Sequence, residues 1–211
     1  MSSRRVVLWR HGQTAWNVER RFQGKTDISL DTTGIAQAER AARLLAALRP
    51  IAIVSSPLQR AARTADALAE LTGLTVSHDA DLVERDGGAW EGLTNSEIKE
   101  RYPAEYALWQ PPGGETGAEV AKRVGTALER IIGRMPADGL LVVTSHGAAL
   151  RLGLAHLLGL PEDLWDRLGG LSNCCWSVVA EMRDGGWRLV EHNAGTLPEP
   201  VLSDDRAAAD T

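Results

Sequence analysis

Arginine and histidine side chains follow apolar runs of this sequence at separate points. The run VVLW leads directly into Arg10 and His11, and LLVVTS leads into His146. Arg60 lies in SSPLQRAARTA, after the run IAIV. Arginine offers phosphate oxygens a planar fork of donors, and histidine is a nucleophile when neutral and a stabilising cation when protonated. With Glu84 of LVERDGG as a proton donor, these residue types predict the transfer of a phosphoryl group.

The elements that must position these residues follow from the periodicity of the apolar residues. Strands are expected at residues 5–9, 51–56, 75–78, 140–145, 174–182 and 186–192, and helices at residues 33–48, 57–73, 118–134 and 147–159. Residues 84–117 are rich in glycine and proline and are expected to be irregular, with one short helix after Thr94. This order predicts an α/β fold, a three-layer α/β/α sandwich with a mostly parallel central sheet.

The carboxyl ends of the strands are where a sheet of this kind binds its ligand. Three strand ends carry the arginine and histidine residues, and the helix that begins at Gly147 offers free backbone N–H groups to an anion. Each residue alone is more often structural. Taken together they would make a poor core and a good phosphate site, so we expect them to converge on one crevice.

The charge distribution adds a local feature to an ordinary composition. The chain has 211 residues, 44% of them hydrophobic, and a net charge of −5, which argues against a general nucleic-acid binder. Residues 1–25 nevertheless carry six basic side chains against Glu19 alone. That patch is either a solvated strand edge and loop or a site for a small anion.

Cysteine usage and hydropathy indicate a cytoplasmic protein. Cys174 and Cys175 are adjacent, which is too close for an ordinary structural crosslink and indicates a reducing compartment. The run VVLW is too short for a signal peptide, and no segment approaches the ~20 apolar residues of a membrane helix. We therefore expect no membrane partner.

The histidine and cysteine spacings do not suggest a metal or another cofactor. The five histidines form no H-x-H or H-E-x-x-H pattern, and the cysteines do not have zinc spacing. The sequence also lacks a P-loop and a G-x-S-x-G elbow. The chemistry is therefore expected to need no metal ion and no cofactor.

The motifs RHGQTAWN, SSPLQRAARTA, LVERDGGAWEG, GGET and TSHGAALR, in this order, resemble the histidine phosphatase superfamily, in its phosphoglycerate-mutase-like branch. The resemblance covers residues 5 to about 192 and implies the α/β sandwich with its pocket at the strand ends. It implies that His11 is the nucleophile that becomes phosphohistidine. It also implies that Arg10, Arg60 and His146 clamp the transferring oxygens, and that Glu84 donates a proton and later activates water.

Further positions match residues of this family that contact the phosphate or its carrier. These are Thr14, Asn17, Gln23, Gly24 and Gly147. The resemblance implies a small-molecule phosphate ester as the partner.

The length of the segment after Glu84 separates two activities within the family. Mutases carry a basic insertion there that excludes water from phosphohistidine, whereas here only 28 residues separate Glu84 from Gly113. We therefore expect a phosphatase, with a phosphoglycerate mutase as the alternative. A non-catalytic phosphate-binding domain is a third alternative, although it would be expected to lack one of the catalytic residues.

Other segments bear on the substrate. WRHGQTAWN, RFQGKTD, RLGGLSNCCWSVV and WRLVEHN are similar to glucosyl-3-phosphoglycerate phosphatases, which implies a sugar phosphate or a phosphoglycerate-linked sugar as substrate. The expected pocket lining comprises Phe22, Lys25, Trp90, Trp109, Glu115 and the loop near Ser172 and Asn173. For both tryptophans core packing is an equal alternative, and Glu115 is a candidate for ordering the site instead.

The resemblance implies one domain over residues 1–198, followed by a tail at 199–211 that is expected to be disordered. The dipeptide Gly185–Gly186 after Asp184 predicts a hairpin between the last two strands. If this hairpin lies at an exposed sheet edge, it offers a pairing surface for a homodimer.

Overall fold

A computed structural model describes residues 4–183 and 185–195. The strands are β1 (Arg5–Arg10), β2 (Ala52–Ser55), β3 (Val76–His78), β4 (Leu140–Ser145), β5 (Trp176–Glu181) and β6 (Trp187–Ala194). The helices are α1 (Ala15–Val18), α2 (Thr32–Ala47), α3 (Gln59–Thr72), α4 (Asn95–Arg101), α5 (Pro103–Leu108), α6 (Gly117–Ile132) and α7 (Gly147–Leu157). Three 3₁₀ helices cover Ala80–Leu82, Gly88–Trp90 and Glu162–Arg167.

The six strands form one sheet in the order β3-β2-β4-β1-β5-β6. Strands β1 to β4 are parallel to their neighbours among themselves, whereas β5 pairs antiparallel with both β1 and β6. The prediction of a mostly parallel sheet is therefore confirmed. The hairpin of β5 and β6 is also present, and β6 lies at the edge of the sheet.

Both faces of the sheet are covered by helices, because the central strands are buried on both sides. Val6 and Leu8 of β1 point into a core shared with α6 and α7. Val7 and Trp9, the alternate residues, point into a second core shared with α2 and α3. This alternation along one strand produces the predicted three-layer sandwich.

The segment between β3 and α6 contains more helix than the sequence predicts. The predicted helix after Thr94 is α4, whose first turn is closed by a capping box between Thr94 and Glu97. A second short helix, α5, follows it and begins on Pro103. The helix α1 was also not predicted, because its four residues are too few to show a period.

The ends of the longer helices lie within two residues of the predicted positions. Helix α3 begins at Gln59, two residues after Pro57, and ends at Thr72, where Gly73 with a φ of 71° forms a left-handed cap. None of the described helices is long and apolar enough to cross a membrane. The tail predicted at residues 199–211 lies outside the described residues.

Candidate active site

The carboxyl ends of β1, β4 and β2 lie side by side, because these three strands are neighbours in the sheet. The imidazole rings of His11 and His146 are 5.2 Å apart between centroids. The charges of Arg10 and Arg60 act on both rings, and Glu84 is hydrogen-bonded to the first turn of the helix that follows His146. None of the predicted catalytic residues is more than 3% exposed: Arg10, His11, Arg60, Glu84 and His146. Five ionisable side chains are thus withdrawn from water at one end of the sheet.

The orientation of His11 is set by the backbone of the next residue. Its Nδ1 lies 2.7 Å from the carbonyl oxygen of Gly12. A carbonyl oxygen only accepts hydrogen bonds, so Nδ1 carries a proton and donates it. The other nitrogen, Nε2, makes no hydrogen bond within residues 4–183 and 185–195, so in the neutral ring it holds an available lone pair.

Arg10 is a buried cation without a carboxylate partner in the described part of the chain. Its Nη1 donates to the carbonyl oxygen of Leu171 at 2.6 Å, and its Nε has no hydrogen-bond acceptor there. Burying a charge in this way is costly unless a ligand compensates it. An anion is the ligand that would do so.

Arg60 is held by two backbone carbonyl oxygens of the loop between α1 and α2. Its Nη1 donates to Thr26 and its Nη2 to Gly24, both at 2.8 Å. Gly24 has a φ of 51°, and a Cβ atom at this position would collide with the carboxylate of Glu91. The residue therefore has to be glycine for this loop to reach the guanidinium group.

The site keeps both histidines neutral at pH 7. Burial, followed by the positive charges of Arg60 and Arg10, lowers the pKa of His11 well below its ordinary value of 6.5. The pKa of His146 is likewise lowered well below 6.5 by burial, and then by Arg60, His11 and Arg10. A neutral His11 is the form that is able to act as a nucleophile.

Because these pKa values are lowered, the protein should lose stability in acid. In the unfolded chain a histidine binds a proton below about pH 6.5, whereas the buried residue does not. The contribution of each histidine to stability is present above pH 6.5 and is lost as the pH falls towards its folded-state pKa, by up to about 1.4 kcal/mol per pH unit.

The measurement is the free energy of unfolding in urea between pH 7.5 and 5.0, which should decline less for His11→Ala than for the wild type. The control His78→Ala, an exposed change, should retain the wild-type decline, and equal declines in all three proteins would contradict the expectation.

The carboxylate of Glu84 lies at the amino terminus of α7. It accepts hydrogen bonds from the backbone N–H groups of Arg85 at 2.8 Å, Ala149 at 2.9 Å and Ala148 at 3.2 Å. These donors and the helix dipole stabilise its ionised form. The N–H of Gly147, the first residue of the helix, has no acceptor in the described residues, so it is available to a second anionic group.

The predicted substrate-binding residues Thr14, Asn17 and Gln23 form one hydrogen-bonded cluster. The Oδ1 atom of Asn17 accepts from the N–H of Thr14 at 3.1 Å and from Asn173 Nδ2 at 3.2 Å. The hydroxyl of Thr14 lies 3.0 Å from the Oε1 atom of Gln23. Since Oδ1 of Asn17 is engaged, the amide nitrogen is the part of this side chain left to face a ligand.

The structure places several of the residues expected to line the pocket in other roles. Trp90 is fully buried and packs on Phe22 and Trp109, with ring centroids 5.8 and 5.1 Å away, so core packing is the alternative that holds for it. Asn173 is buried under His11 and donates to its carbonyl oxygen at 3.1 Å. Ser172, also buried, donates its backbone N–H to the Oδ1 atom of Asn193 at 2.8 Å.

Glu115 and Arg123 hold the segment that carries Glu84. The guanidinium group of Arg123 forms two hydrogen bonds of 2.7 Å with the carboxylate of Glu115. It also donates to the carbonyl oxygens of Asp81 at 2.8 Å and Val83 at 3.0 Å. Glu115 therefore orders the site, which is the second of the two roles considered for it from the sequence. The Nζ atom of the more exposed Lys25 lies 3.9 Å from the Oε2 atom of Glu115.

Three residues of the site were not predicted to belong to it: Ser56, Asn173 as a support for His11, and Arg123. Ser56 precedes Pro57 in SSP at a strand end, which was a usable signal. Arg123 lies inside an amphipathic helix, where nothing in the local pattern marks it.

Within the described residues, no three His, Cys, Asp or Glu side chains are placed to hold a metal ion together. Metal independence stays a prediction.

Comparisons with known proteins match most of the chain. The model of the histidine phosphatase superfamily (branch 1) matches residues 6–195. The glucosyl-3-phosphoglycerate phosphatases of Mycolicibacterium vanbaalenii and Mycobacterium tuberculosis are 38% and 37% identical to this chain over 216 and 214 residues. Both alignments cover 92% of this chain and 96% of the relative.

A solved structure is similar over the same extent. The structure of a mycobacterial glucosyl-3-phosphoglycerate phosphatase in complex with VO3 superposes with a TM-score of 0.86 at 38% identity. The match covers 92% of this chain and 100% of that one.

Proposed function

Because this chain belongs to the histidine phosphatase superfamily (branch 1) and is a phosphatase, we propose that it hydrolyses a sugar-linked phosphate monoester through a phosphohistidine at His11. One observation carries the assignment of the nucleophile. The Nδ1–H of His11 is bound to the Gly12 carbonyl, so the lone pair of the neutral ring is on Nε2, beside two buried arginines.

In the first step Nε2 of His11 attacks phosphorus, a P–N bond forms, and the P–O bond to the leaving group breaks. Negative charge is spread over the phosphoryl oxygens in flight, where Arg10, Arg60 and the Gly147 N–H meet it. These groups are held by backbone contacts before the substrate arrives, so little reorganisation is needed. They supply the positive charge that a metal ion provides in other phosphatases, which supports a metal-independent reaction.

Glu84 transfers a proton in each of the two steps. An arriving phosphate dianion repels its carboxylate and favours the protonated form, which donates its proton to the leaving oxygen. In the second step the regenerated carboxylate takes a proton from water. The water oxygen then bonds to phosphorus, the P–N bond breaks, and inorganic phosphate leaves with His11 restored.

The substrate class rests on the relatives and on the length of the segment over the site. The similar mycobacterial enzymes are named glucosyl-3-phosphoglycerate phosphatases, and we propose a phosphorylated sugar or a phosphoglycerate-linked sugar for this chain. The segment between Glu84 and Gly113 supports hydrolysis over mutase activity, since it consists of a 3₁₀ turn and two short helices without the basic insertion of mutases.

The proposal also includes a cellular location and an oligomeric state. A cytoplasmic location is supported by Cys174 and Cys175, which are buried and, as neighbours in the sequence, too close for an ordinary structural crosslink. A homodimer is supported by the position of β6 at the sheet edge, where Val190 is 52% exposed.

The experiment is a phosphate-release assay on a panel of phosphorylated metabolites that includes sugar phosphates and glucosyl-3-phosphoglycerate. With a chelator present, we expect release of inorganic phosphate and inhibition by vanadate, an analogue of the transferring group. Isomerisation of phosphoglycerate, primed by a bisphosphate, is the parallel assay. Efficient isomerisation without phosphate release would overturn the assignment in favour of a mutase, and no turnover with phosphate binding retained would favour a non-catalytic domain.

A further inference from the structure

Ser56 is a fully buried residue whose hydroxyl contacts the imidazole of His146. It follows the last residue of β2, and its backbone N–H donates to the carbonyl oxygen of Thr144 in the neighbouring region of β4 at 2.9 Å. Both the hydroxyl and the imidazole are therefore carried by adjacent strand ends. Their relative position is set by the sheet and not by a flexible loop.

The hydroxyl of Ser56 has two neighbours and one proton. The backbone N–H of Leu58 donates to Oγ at 3.3 Å, so towards Leu58 the oxygen is an acceptor. The second neighbour is Nε2 of His146, 2.8 Å from the same oxygen. Whether the proton of this second bond belongs to the serine or to the histidine decides which nitrogen of His146 remains protonated.

The buried hydroxyl of Ser56 needs a hydrogen-bond acceptor, and this need assigns the proton shared with Nε2 of His146 to the serine. If Nε2–H donated to Oγ, the hydroxyl proton of Ser56 would have no acceptor among the described residues, and the group is fully buried. Leaving a buried donor without a partner is unfavourable. If the hydroxyl instead donates to Nε2, Oγ and Nε2 are both satisfied.

The remaining nitrogen of His146 then carries the only ring proton. Nδ1 is buried and has no hydrogen-bond partner in the described residues. An N–H group in that position is a donor waiting for an acceptor, whereas a bare lone pair there would repel an anion. Burial, and then the charge of Arg60, lowers the pKa of His146 well below 6.5, so the ring is neutral and holds a single proton.

We propose that Ser56 is a positioning residue that holds neutral His146 with its proton on Nδ1, so that this N–H meets an oxygen of the phosphoryl group. The inference rests on the proposed function and deepens it, because it explains how an uncharged histidine helps to bind an anion. Ser56 itself does not touch the substrate. It acts through His146 by selecting the tautomer and by fixing the plane of the ring.

The first test is a spectroscopic one on the wild-type chain. The chain is labelled with ¹⁵N-histidine, and the His146 signals are identified by their absence in His146→Gln. At pH 7.5 we expect the shift of a protonated nitrogen at Nδ1 and that of an unprotonated nitrogen at Nε2. Titration with inorganic phosphate should then move the Nδ1 signal more than the Nε2 signal. A proton found on Nε2 in the free protein would overturn the inference.

The second test compares two serine-to-alanine changes at adjacent buried positions. Ser56→Ala should lower kcat/KM roughly 10- to 100-fold, the effect typical of a partner that orients a ligating histidine. It should also weaken vanadate inhibition. The matched control is Ser55→Ala, because the Ser55 hydroxyl is equally buried but donates to the Ser56 carbonyl oxygen at 2.9 Å. We expect this control to retain kcat/KM within about threefold.

The two tests separate this inference from the proposed function. If Ser56→Ala retains wild-type kcat/KM, or if both alanine variants lose activity equally, Ser56 does not act through His146 and the inference fails while the phosphatase stands. If no phosphate ester is turned over, the proposed function fails, and the tautomer is still measured on the wild-type chain. If Ser56→Ala does not fold, the wild-type spectrum decides alone.

Discussion

Replacing His11 with alanine is expected to lower kcat/KM for every phosphate monoester by about 10⁴-fold or more. Removal of a covalent nucleophile eliminates the two-step route, and in a comparable enzyme class such losses reach roughly 10⁶-fold. Binding should persist in part, because Arg10 and Arg60 are held by the carbonyl oxygens of Leu171, Thr26 and Gly24 and not by His11. The measurement is initial-rate kinetics with an aryl phosphate and with a sugar phosphate.

The matched control for this change is His78→Ala. His78 is an exposed histidine at the end of β3, so the same substitution is made outside the site. We expect it to retain wild-type kinetics. In the wild type, a rapid quench in base should trap a phosphoryl group that is labile in acid, as expected for a bond to nitrogen. Turnover of His11→Ala within tenfold of the wild type, or a trapped group that survives acid, would refute His11 as the nucleophile.

Replacing Glu84 with glutamine should reduce activity by an amount that depends on the leaving group. Loss of a general acid typically costs roughly 10²- to 10⁴-fold, and we expect a loss in this range for sugar phosphates, whose alkoxide leaves poorly without a proton. A nitrophenyl phosphate needs no such proton, so transfer to His11 should slow by about tenfold or less. The second step still requires a base, and phosphohistidine should therefore accumulate.

The accumulation is visible as a burst of nitrophenol with an amplitude of one per site, followed by slow turnover. Glutamine also places an NH2 group against the N–H donors of Ala148 and Ala149, so thermal unfolding of the variant has to be measured beside the kinetics. Glu100→Gln, an exposed change on α4, is the control and should match the wild type. Equal losses for both substrates, with no burst, would remove Glu84 from the role of proton donor.

Much of the architecture was predictable because it depends on local patterns. The alternation of apolar runs and helical periods predicted the strands and the long helices, and Gly73 predicted the end of α3. The rule that ligands lie beyond the carboxyl ends of parallel strands then predicted that Arg10, His11 and His146 would meet, and the structure brings them together. The short helices α1 and α5 escaped prediction, since four to six residues contain too few turns to show a period.

Hydrogen bonding within the site was less accessible to sequence reasoning. A nucleophilic His11 has to be neutral, which requires its other nitrogen to hold the ring proton, and the bond from Nδ1 to the carbonyl oxygen of Gly12 meets this requirement. The contact of Glu84 with α7 was not predicted, because it joins residues 64 and 65 positions apart in the chain. The burial of Trp90 under Trp109 likewise depends on how the segment after Glu84 folds back.

Residue types and apolar periods were sufficient to identify the candidate catalytic side chains and to place the arginines and histidines after strands. Residue type and local period are properties of short segments, so they can be read from the sequence without knowledge of the fold. The folded structure was needed to assign the protonated nitrogen of each imidazole and to find the carbonyls that hold the two guanidinium groups. It was also needed to find the support from Ser56, Asn173 and Arg123. Those facts depend on single hydrogen bonds between distant segments, and a shift of one ångström in packing would change them without changing any local pattern.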